Sequence, residues 1–310
     1  MSSLVEVSAP VSAALRSGAP VVALESTIIS HGLPRPGNLD AAREFEAILA
    51  GQGVTAATIA LVDGVARIGL TPDELERVAA DGSVVKVSSR DIAVAMARKV
   101  TGGTTVAATS VLAARAGIRV FATGGLGGVH RGAGETFDES ADLTVLSRTP
   151  ITVVSAGVKS ILDIPATLER LETLGVAVVG YRTSRFPAFW LSDSGCDLDW
   201  RADSPAEIAD IMAAREAFGD QSALLVANPL PPAKQLDPEL LSGALEAALV
   251  AAADAGIRGK AVSPFLLDRI QRVTGGVSVG VNLDIARGNV DLAARISRSW
   301  SERAEARAPS

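Results

Sequence analysis

The sequence predicts an α/β protein, a three-layer α/β/α sandwich with a mainly parallel sheet and a helical C-terminal part. Short runs of Val, Ile, Leu and Ala alternate with amphipathic, alanine-rich stretches along the 310 residues, which is typical of strands alternating with helices. Most of these runs are apolar at every position, as expected for strands that are covered on both faces. Only 4% of the residues are aromatic, so the core is expected to consist of aliphatic side chains.

Seven of the apolar runs are predicted to be strands, and several stretches between and after them have helical patterns. In the helix predicted over 71–82, Thr71 is the expected N-cap and Glu74 completes a capping box. A second helix is predicted over 161–175, and from about Asp237 onward we expect only helices. The predicted strands are residues 19–25, 54–64, 83–88, 118–125, 151–157, 176–181 and 222–228.

Composition limits the kinds of partner and compartment. We predict one domain over residues 1–310, with its core at about 20–295 and a frayed tail at 301–310. A net charge of −6 and a pI near 5.1 argue against binding to nucleic acid or to an anionic membrane. Cys196 stands alone, so no disulfide can form within the chain, which fits the cytoplasm. We find no secretory signal and no apolar stretch long enough to cross a membrane.

One lysine is unusual because this chain draws its positive charge almost entirely from arginine. Lys159, in the stretch VVSAGVKSILD, follows an apolar run and precedes a helical pattern. Lysine can lose its proton and act as an amine nucleophile, whereas arginine stays charged. The sequence leaves two interpretations open, a nucleophile at the end of a strand or an ordinary surface residue.

Two further charged residues belong to otherwise apolar strands. Glu25 ends the first run, at the carboxyl edge of the sheet, where α/β proteins usually bind ligands. A solvated carboxylate, or one paired with an arginine, fits this position equally well. Lys86 lies within a valine-rich run, where a buried ammonium needs a partner or a role. His31, in the loop that follows Glu25, is expected to organise that loop by hydrogen bonding rather than to act as a base.

A glycine-rich stretch follows the fourth predicted strand. Six glycines lie between residues 124 and 134, with His130 and Arg131 among them. Such a backbone can turn its N–H groups toward an anion, although glycine alone is also typical of a mobile surface loop. The spacing of these glycines does not fit the dinucleotide-binding fingerprint, and the stretch AGIRGKA at 255–261 does not fit a phosphate loop.

Four carboxylates follow the glycines, namely Glu135, Asp138, Glu139 and Asp142. If a helix begins near residue 138, Asp138 and Asp142 share one of its faces. Carboxylates without a cluster of Cys or His suit a hard cation such as Mg²⁺ or Mn²⁺. An acidic first helical turn that complements the helix dipole is the alternative, and it is favoured when this stretch is taken alone.

Taken together, these stretches resemble the pseudouridine-5′-phosphate glycosidases, the indigoidine-synthase-A-like family. The resemblance runs in order from about residue 20 to 290. It implies an α/β/α fold, a homotrimer, a divalent metal ion and cleavage of the C–C glycosidic bond of pseudouridine 5′-phosphate into uracil and ribose 5-phosphate. The matching stretches are ALESTIISHGLPRPGN, KVSSRD, ATGGLGGVHRG with FDESADL, VVSAGVKSILD, VANPLP and GKAVSPFLL.

The resemblance also assigns roles to individual residues. It implies that Lys159 is the covalent nucleophile, that Glu25 is the proton donor, and that Asp138 binds Mn²⁺ or another hard divalent ion such as Mg²⁺. It implies that the positions in contact with the substrate are Lys86, Val106, Thr123, Gly124, Gly125, His130, Ser140, Ala141, Asp142 and Asn282.

The chemistry of a C-glycosidic bond explains why an acid and an amine are needed together. The base carbon must receive a proton as the bond breaks, which calls for a positioned acid. An amine can hold the sugar as an iminium of ring-opened ribose, and a carboxylate cannot. A Schiff-base aldolase acting on a sugar phosphate, or a sensor that binds a sugar phosphate without turnover, remain alternative hypotheses.

Overall fold

The computed structural model describes residues 4–257 and 262–305, and it contains eleven strands within those ranges. Residues 259–261 of the GKAVSPFLL motif, with Lys260, and residues 306–310 of the predicted tail lie outside the described residues. The strands are β1 (Val5–Val7), β2 (Val21–Glu25), β3 (Thr55–Val62), β4 (Val65–Ile68), β5 (Val85–Val87), β6 (Gly102–Thr104), β7 (Val120–Ala122), β8 (Thr152–Ser155), β9 (Ala177–Tyr181), β10 (Arg201–Ala202) and β11 (Leu224–Ala227).

Helices fill the connections between the strands and the whole described C-terminal part. A single wide π-helical turn, Ile28–Gly32, follows β2, and two short 3₁₀ turns lie at Ser89–Asp91 and Pro232–Lys234. The α-helices are α1 (Ala9–Ser17), α2 (Gly37–Ala50), α3 (Pro72–Ala80), α4 (Ile92–Ala97), α5 (Val106–Arg115), α6 (Ala133–Thr136), α7 (Ala141–Leu146), α8 (Ile164–Thr173), α9 (Pro205–Phe218), α10 (Pro238–Asp254), α11 (Val262–Val273) and α12 (Val277–Glu305).

All the described strands belong to one mostly parallel sheet, in the order β1-β4-β3-β2-β7-β8-β11-β9-β10, with β6 paired to β3 and β5 paired to β6. The pairs β3–β4 and β3–β6 are antiparallel, and the other described pairs are parallel. Each of the seven predicted strands is confirmed. Prediction missed β1, β4, β6 and β10, which are two to four residues long.

Both faces of the sheet are covered, so the predicted layered α/β architecture is confirmed. Val21 and Ala23 of β2 pack into one apolar cluster, which includes residues of α1, α5, α7 and α10. Val22 and Leu24 pack into another, with residues of α2, α9 and α12. Alternate residues of a strand point to opposite faces, which explains why the strand sequence is apolar throughout.

The predicted helix signals also hold in the structure. Thr71 caps α3, where its hydroxyl accepts the amide of Glu74 and the Glu74 carboxylate accepts the amide of Thr71. Beyond Asp237, the described chain forms α10, α11 and α12. The last helix continues to Glu305 and therefore includes the first half of the stretch that was predicted to be frayed. None of the helices in residues 4–257 and 262–305 is both long and apolar enough to span a membrane.

The order of the strands reverses at β2. The chain passes from β2 to β3 on one side, and later returns to place β7 and then β8 on the other side. In open α/β sheets such a reversal leaves a crevice beyond the carboxyl ends of the strands, which is the usual place for a ligand. Glu25 ends β2 and Thr123 follows β7, so both lie at this crevice.

Candidate active site

Two adjoining pockets lie at this carboxyl edge, and Glu25, Lys86 and Lys159 border both of them, together with Thr27 and Ser263. The apolar pocket is completed by Ile28, His31, Gly32, Leu33, Gly124, Gly125, Phe189, Pro264, Leu267 and Asn282. The polar pocket is completed by Ser88, Arg90, Thr105, Val106, Gly127, His130, Asp138, Glu139, Ser140, Ala141 and Asp142.

Glu25 is a buried carboxyl group held at the junction of the two pockets. Its side chain accepts a hydrogen bond from the hydroxyl of Thr123, and only 8% of the residue is exposed. The next residue, Ser26, fixes the end of β2 because its hydroxyl donates to the Ile59 carbonyl at 2.6 Å. Burial raises the pKa of Glu25, and the charge of Lys159 and the Thr123 hydrogen bond offset only part of that rise. The carboxyl group therefore holds its proton to a higher pH than an exposed glutamate does.

Lys159 lies four residues beyond the end of β8, in the connection to α8. Its amide donates to the carbonyl of Leu126 at 3.1 Å, and its carbonyl accepts the amide of Leu162 at 2.9 Å. The hydroxyl of Ser160 donates to the Ala188 carbonyl, which ties down the same turn. The half-buried lysine borders both pockets, so its position supports the nucleophile interpretation over that of an ordinary surface residue.

Lys86 reaches the same junction from the edge of the sheet. It is the central residue of β5 and pairs with Gly103 of β6. Among the described strands β5 pairs only with β6, and Val85 is 43% exposed, so the expectation of a buried strand here is wrong. Lys86 is half-buried and faces the pockets, where it adds positive charge.

His31 organises the turn after β2, as predicted. Its Nδ1 lies 2.7 Å from the hydroxyl of Ser30, and its ring is also hydrogen-bonded to the backbone of Val84. Burial and the nearby charges of Lys86 and Arg35 lower the pKa of His31, which favours the neutral ring. The side chain borders the apolar pocket while its hydrogen bonds hold two loops together.

The glycine-rich stretch is tightly packed, and four of its amides donate hydrogen bonds within the protein rather than toward a ligand. These are the amides of Leu126, Gly127, Val129 and His130. A Cβ atom on Gly125 would lie 2.6 Å from the ring of Phe189, and one on Gly127 would lie 2.6 Å from Cβ of Ser140. The expectation that these amides bind an anion is therefore wrong. Glycine is required at 125 and 127 because neighbouring side chains pack too closely for a Cβ atom.

Asp142 is a structural tie beside the polar pocket. Helix α7 begins at Ala141 with Ser140 as its N-cap, so the prediction that Asp138 and Asp142 share a helix face is wrong. The chain before Ser140 instead pairs with the glycine stretch, because the His130 amide donates to the Asp138 carbonyl at 3.0 Å. Asp142 is 6% exposed, and its two carboxylate oxygens accept amides of α5 and of the glycine stretch at 2.9 and 2.8 Å.

The beginning of α5 forms another wall of the polar pocket. Thr105 caps the helix, with its hydroxyl accepting the amide of Ala108 at 3.4 Å. Val106 is the first helical residue and is 2% exposed, so it offers the pocket little more than its backbone. The positive end of the helix dipole and the side chain of Arg90 therefore make this end of the pocket suitable for an anion.

Asp138 is the carboxylate best placed to hold a cation in the polar pocket. Its Oδ2 lies 3.9 Å from Nδ1 of His130, and about a third of its side chain is exposed. The neighbouring Glu139 carboxylate pairs instead with Arg170 at 3.0 Å. In residues 4–257 and 262–305 no three His, Cys, Asp or Glu side chains are grouped to hold a metal ion. A single carboxylate fits a hydrated Mn²⁺ or Mg²⁺ ion, not a metal enclosed by protein ligands.

The remaining predicted residues separate into two groups. Gly124, Gly125 and Asn282 border the apolar pocket, whereas Thr123 is 4% exposed and lies behind Glu25, outside both linings. Prediction did not single out several wall residues, namely Ser88, Arg90, Thr105, Phe189 and Ser263. The sequence contains a signal for Phe189, because the chain places three aromatic residues within 186–190 although only 4% of its residues are aromatic.

Comparison with known proteins identifies the family of this chain. The family model described as "Indigoidine synthase A like protein" matches residues 10–299. Pseudouridine-5′-phosphate glycosidases of Frankia alni and Saccharopolyspora erythraea are 59% and 58% identical to this chain, over 95% and 96% of it and 82% and 99% of their own lengths.

Two crystal structures have the same fold. The prealnumycin C-glycosynthase AlnA, in complex with ribulose 5-phosphate, superposes with a TM-score of 0.91 at 36% identity, covering 99% of this chain and 100% of its own. An indigoidine synthase A-like protein of Thermotoga maritima superposes with a TM-score of 0.87 at 34% identity, covering 96% of each chain. The chain therefore belongs to the indigoidine synthase A-like family.

Proposed function

We propose that this protein is a pseudouridine-5′-phosphate glycosidase, which reversibly cleaves the C–C glycosidic bond to give uracil and ribose 5-phosphate. One observation carries the proposal. A buried carboxyl group with a raised pKa, Glu25, and an amine, Lys159, border the same junction between an apolar pocket and a polar one. The names of the close relatives support the same substrate.

The two pockets match the two halves of this substrate. A flat pyrimidine fits the apolar pocket, where Ile28, Leu33, Phe189 and Leu267 supply apolar walls. The phosphate fits the polar pocket, with its positive side chains and the beginning of α5. The glycosidic bond then lies at the junction, where Glu25 reaches it from the end of β2 and Lys159 reaches it from the connection after β8.

The steps follow from these groups. The neutral amine of Lys159 attacks C1′, the C1′–O4′ bond breaks, and the proton lost by nitrogen passes to O4′. The C1′–C5 bond then breaks, with its electron pair going to C5 of the base, which takes the proton of Glu25. The nitrogen lone pair completes an iminium with C1′. Water hydrolyses the iminium to the aldehyde of ribose 5-phosphate, and the proton left on Lys159 returns to Glu25.

Glu25 is suited to the acid role because of its surroundings. Its raised pKa keeps the proton on the carboxyl group to a higher pH than in an exposed glutamate, and the Thr123 hydroxyl fixes the carboxyl group. Asp138 would hold the divalent ion with water completing its shell. When bound, such an ion would neutralise negative charge on the substrate.

Uracil release and chemical trapping test the proposal together. The native protein, incubated with pseudouridine 5′-phosphate, should release uracil, and removal of divalent ions by a chelator should slow the release. With ribose 5-phosphate and borohydride, the reduced iminium should appear on Lys159 in a peptide mass spectrum. Lys159→Arg should keep the fold and the charge but release no uracil.

Each alternative gives a different result. A Schiff-base aldolase would be labelled at Lys159 without releasing uracil, and a non-catalytic sensor would do neither. An adduct at Lys86 or Lys260 in place of Lys159 would refute the assigned nucleophile. The predicted homotrimer is checked separately, by the mass of the native protein in light scattering.

A further inference from the structure

Asn282 is the amide side chain on the wall of the apolar pocket, and a buried tryptophan fixes its direction. The Nε1–H of Trp190 donates a hydrogen bond to Oδ1 of Asn282, with the two atoms 2.6 Å apart. Asn282 belongs to α12, whereas Trp190 belongs to the connection after β9. The contact therefore joins two distant parts of the chain at the pocket where we place the base.

This hydrogen bond leaves the amide of Asn282 only one orientation. An indole nitrogen can donate but cannot accept, so the amide oxygen must face Trp190. The NH₂ group is then the end of the side chain that remains for a ligand. It can donate to a carbonyl oxygen but cannot accept from an amino group.

Trp190 itself has no room to turn away. It is 1% exposed, and its ring packs against Phe189 with the centroids 5.3 Å apart and the planes at 56°. Its carbonyl accepts the amide of Leu236 at 3.1 Å, which holds the backbone of the same residue. The direction of the Asn282 amide is therefore set by a rigid donor and not by the ligand.

We propose that Trp190 is a positioning residue for base specificity, an inference that rests on the proposed function. By fixing Asn282 as a hydrogen-bond donor, Trp190 makes the apolar pocket select pyrimidines that present a ring carbonyl. A base with an amino group at that position places one donor against another and leaves both without acceptors. Unpaired polar groups in a buried site are costly, so we expect about 10- to 100-fold discrimination in kcat/KM.

Two analogues of the substrate measure this selectivity. Pseudocytidine 5′-phosphate carries an amino group at C4, and pseudoisocytidine 5′-phosphate carries one at C2. The native protein should prefer pseudouridine 5′-phosphate over at least one of them, and the disfavoured analogue identifies the carbonyl that Asn282 reads. Trp190→Phe removes the donor but keeps an aromatic ring, so the Asn282 amide can rotate and the ratio of kcat/KM values should fall about tenfold or more.

A matched control separates this role from packing. Trp200 is 70% exposed, so Trp200→Phe should leave the ratio unchanged. Because Trp190→Phe is at risk of unfolding, Asn282→Asp provides a second test. With Trp190 donating to one carboxylate oxygen, the other oxygen can only accept, and the preference should shift toward the amino analogue.

The outcomes separate the two proposals. If the native protein releases no uracil from pseudouridine 5′-phosphate, the proposed function fails. The role of Trp190 is then judged by calorimetric binding of the three nucleotides to Lys159→Arg. The role of Trp190 would be overturned if the native site did not discriminate among the three nucleotides. It would also be overturned if Trp190→Phe lowered kcat/KM or affinity equally for all three and Asn282→Asp did not shift the preference.

Discussion

Replacing Glu25 by glutamine tests whether the buried acid is protonated as the reaction requires. Glutamine keeps an oxygen that accepts the Thr123 hydroxyl but has no proton to give to a carbon atom. Loss of a general acid lowers turnover by roughly 10²- to 10⁴-fold. We therefore expect Glu25→Gln to bind pseudouridine 5′-phosphate while releasing uracil at least about 100-fold more slowly.

The same substitution should change the pH dependence of stability. Because burial raises the pKa of Glu25, the folded chain keeps this proton to a higher pH than the unfolded chain, whose glutamate pKa is about 4.3. The protonated Glu25 therefore contributes fully to the stability of the native protein below the pKa of the unfolded chain. The native protein loses stability by up to about 1.4 kcal/mol per pH unit as the pH rises from there to the folded-state pKa. Glutamine does not ionise and avoids this loss.

Thermal unfolding of the two proteins between pH 4 and 8 measures the difference. The Tm of Glu25→Gln should exceed that of the native protein by an amount that grows with pH, by roughly 2 °C for each kcal/mol. A Tm difference independent of pH would show that the carboxyl group is not protonated more readily in the folded chain. The acid role would then lose its physical basis.

Glu46 provides the matched control. Burial raises its pKa too, and it accepts a hydrogen bond from the Thr58 hydroxyl at 2.5 Å, but it borders neither pocket. Glu46→Gln should therefore show a pH-dependent gain in Tm with nearly normal release of uracil. Equal loss of turnover in both variants would mean that Glu25→Gln acts through the structure and not through its proton.

Four further substitutions test the walls of the site. Gly125→Ala should lower the Tm because its Cβ would press on Phe189 at 2.6 Å, whereas Gly124→Ala meets nothing closer than 3.7 Å and should fold normally with a raised KM. Asp142→Asn places an NH₂ group against one of two backbone amides and should lower the free energy of unfolding by about 1–3 kcal/mol in a denaturant titration. Asp138→Asn should keep the Tm but weaken the activation of uracil release by Mn²⁺, and unchanged activation would place the metal elsewhere.

The layered fold was predictable because its signals are local. Strands buried on both faces read as apolar runs, and Thr71 with Glu74 marks a helix start by a hydrogen-bond pattern within four residues. Among the strands that were missed, β6 (Gly102–Thr104) consists of two glycines and a threonine, and this sequence resembles a turn. Its pairing with β3 depends on residues about 40 positions away, which no local pattern contains.

The candidate site was predictable to the extent that its residues end strands or follow the motifs of the family. Glu25 and Lys159 were found in this way. The direction of the Asn282 amide was not predictable, because the hydrogen bond between Trp190 and Asn282 joins residues 92 positions apart. The helix boundary near Asp138 was misjudged for a related reason. Backbone pairing with the glycine stretch holds this segment outside the helix, and α7 begins only at Ala141, with Ser140 as its N-cap.

The strand order explains how an acid and an amine can meet on one bond. Glu25 ends β2 and Lys159 follows β8, with β7 between these two strands, so β2 and β8 lie two strand spacings of about 4.8 Å apart. The middle strand, β7, is followed by Thr123, whose hydroxyl donates a hydrogen bond to the Glu25 carboxyl group. Gly124 comes next and has no side chain to occupy the space beyond this strand. Asn289 of α12 holds this middle segment, since its amide donates to the carbonyls of Thr123 and Gly124 at 2.7 and 3.1 Å. The sheet thus sets the spacing of the two strands that lead to the proposed acid and the proposed amine, and Gly124 after the middle strand adds no side chain between them.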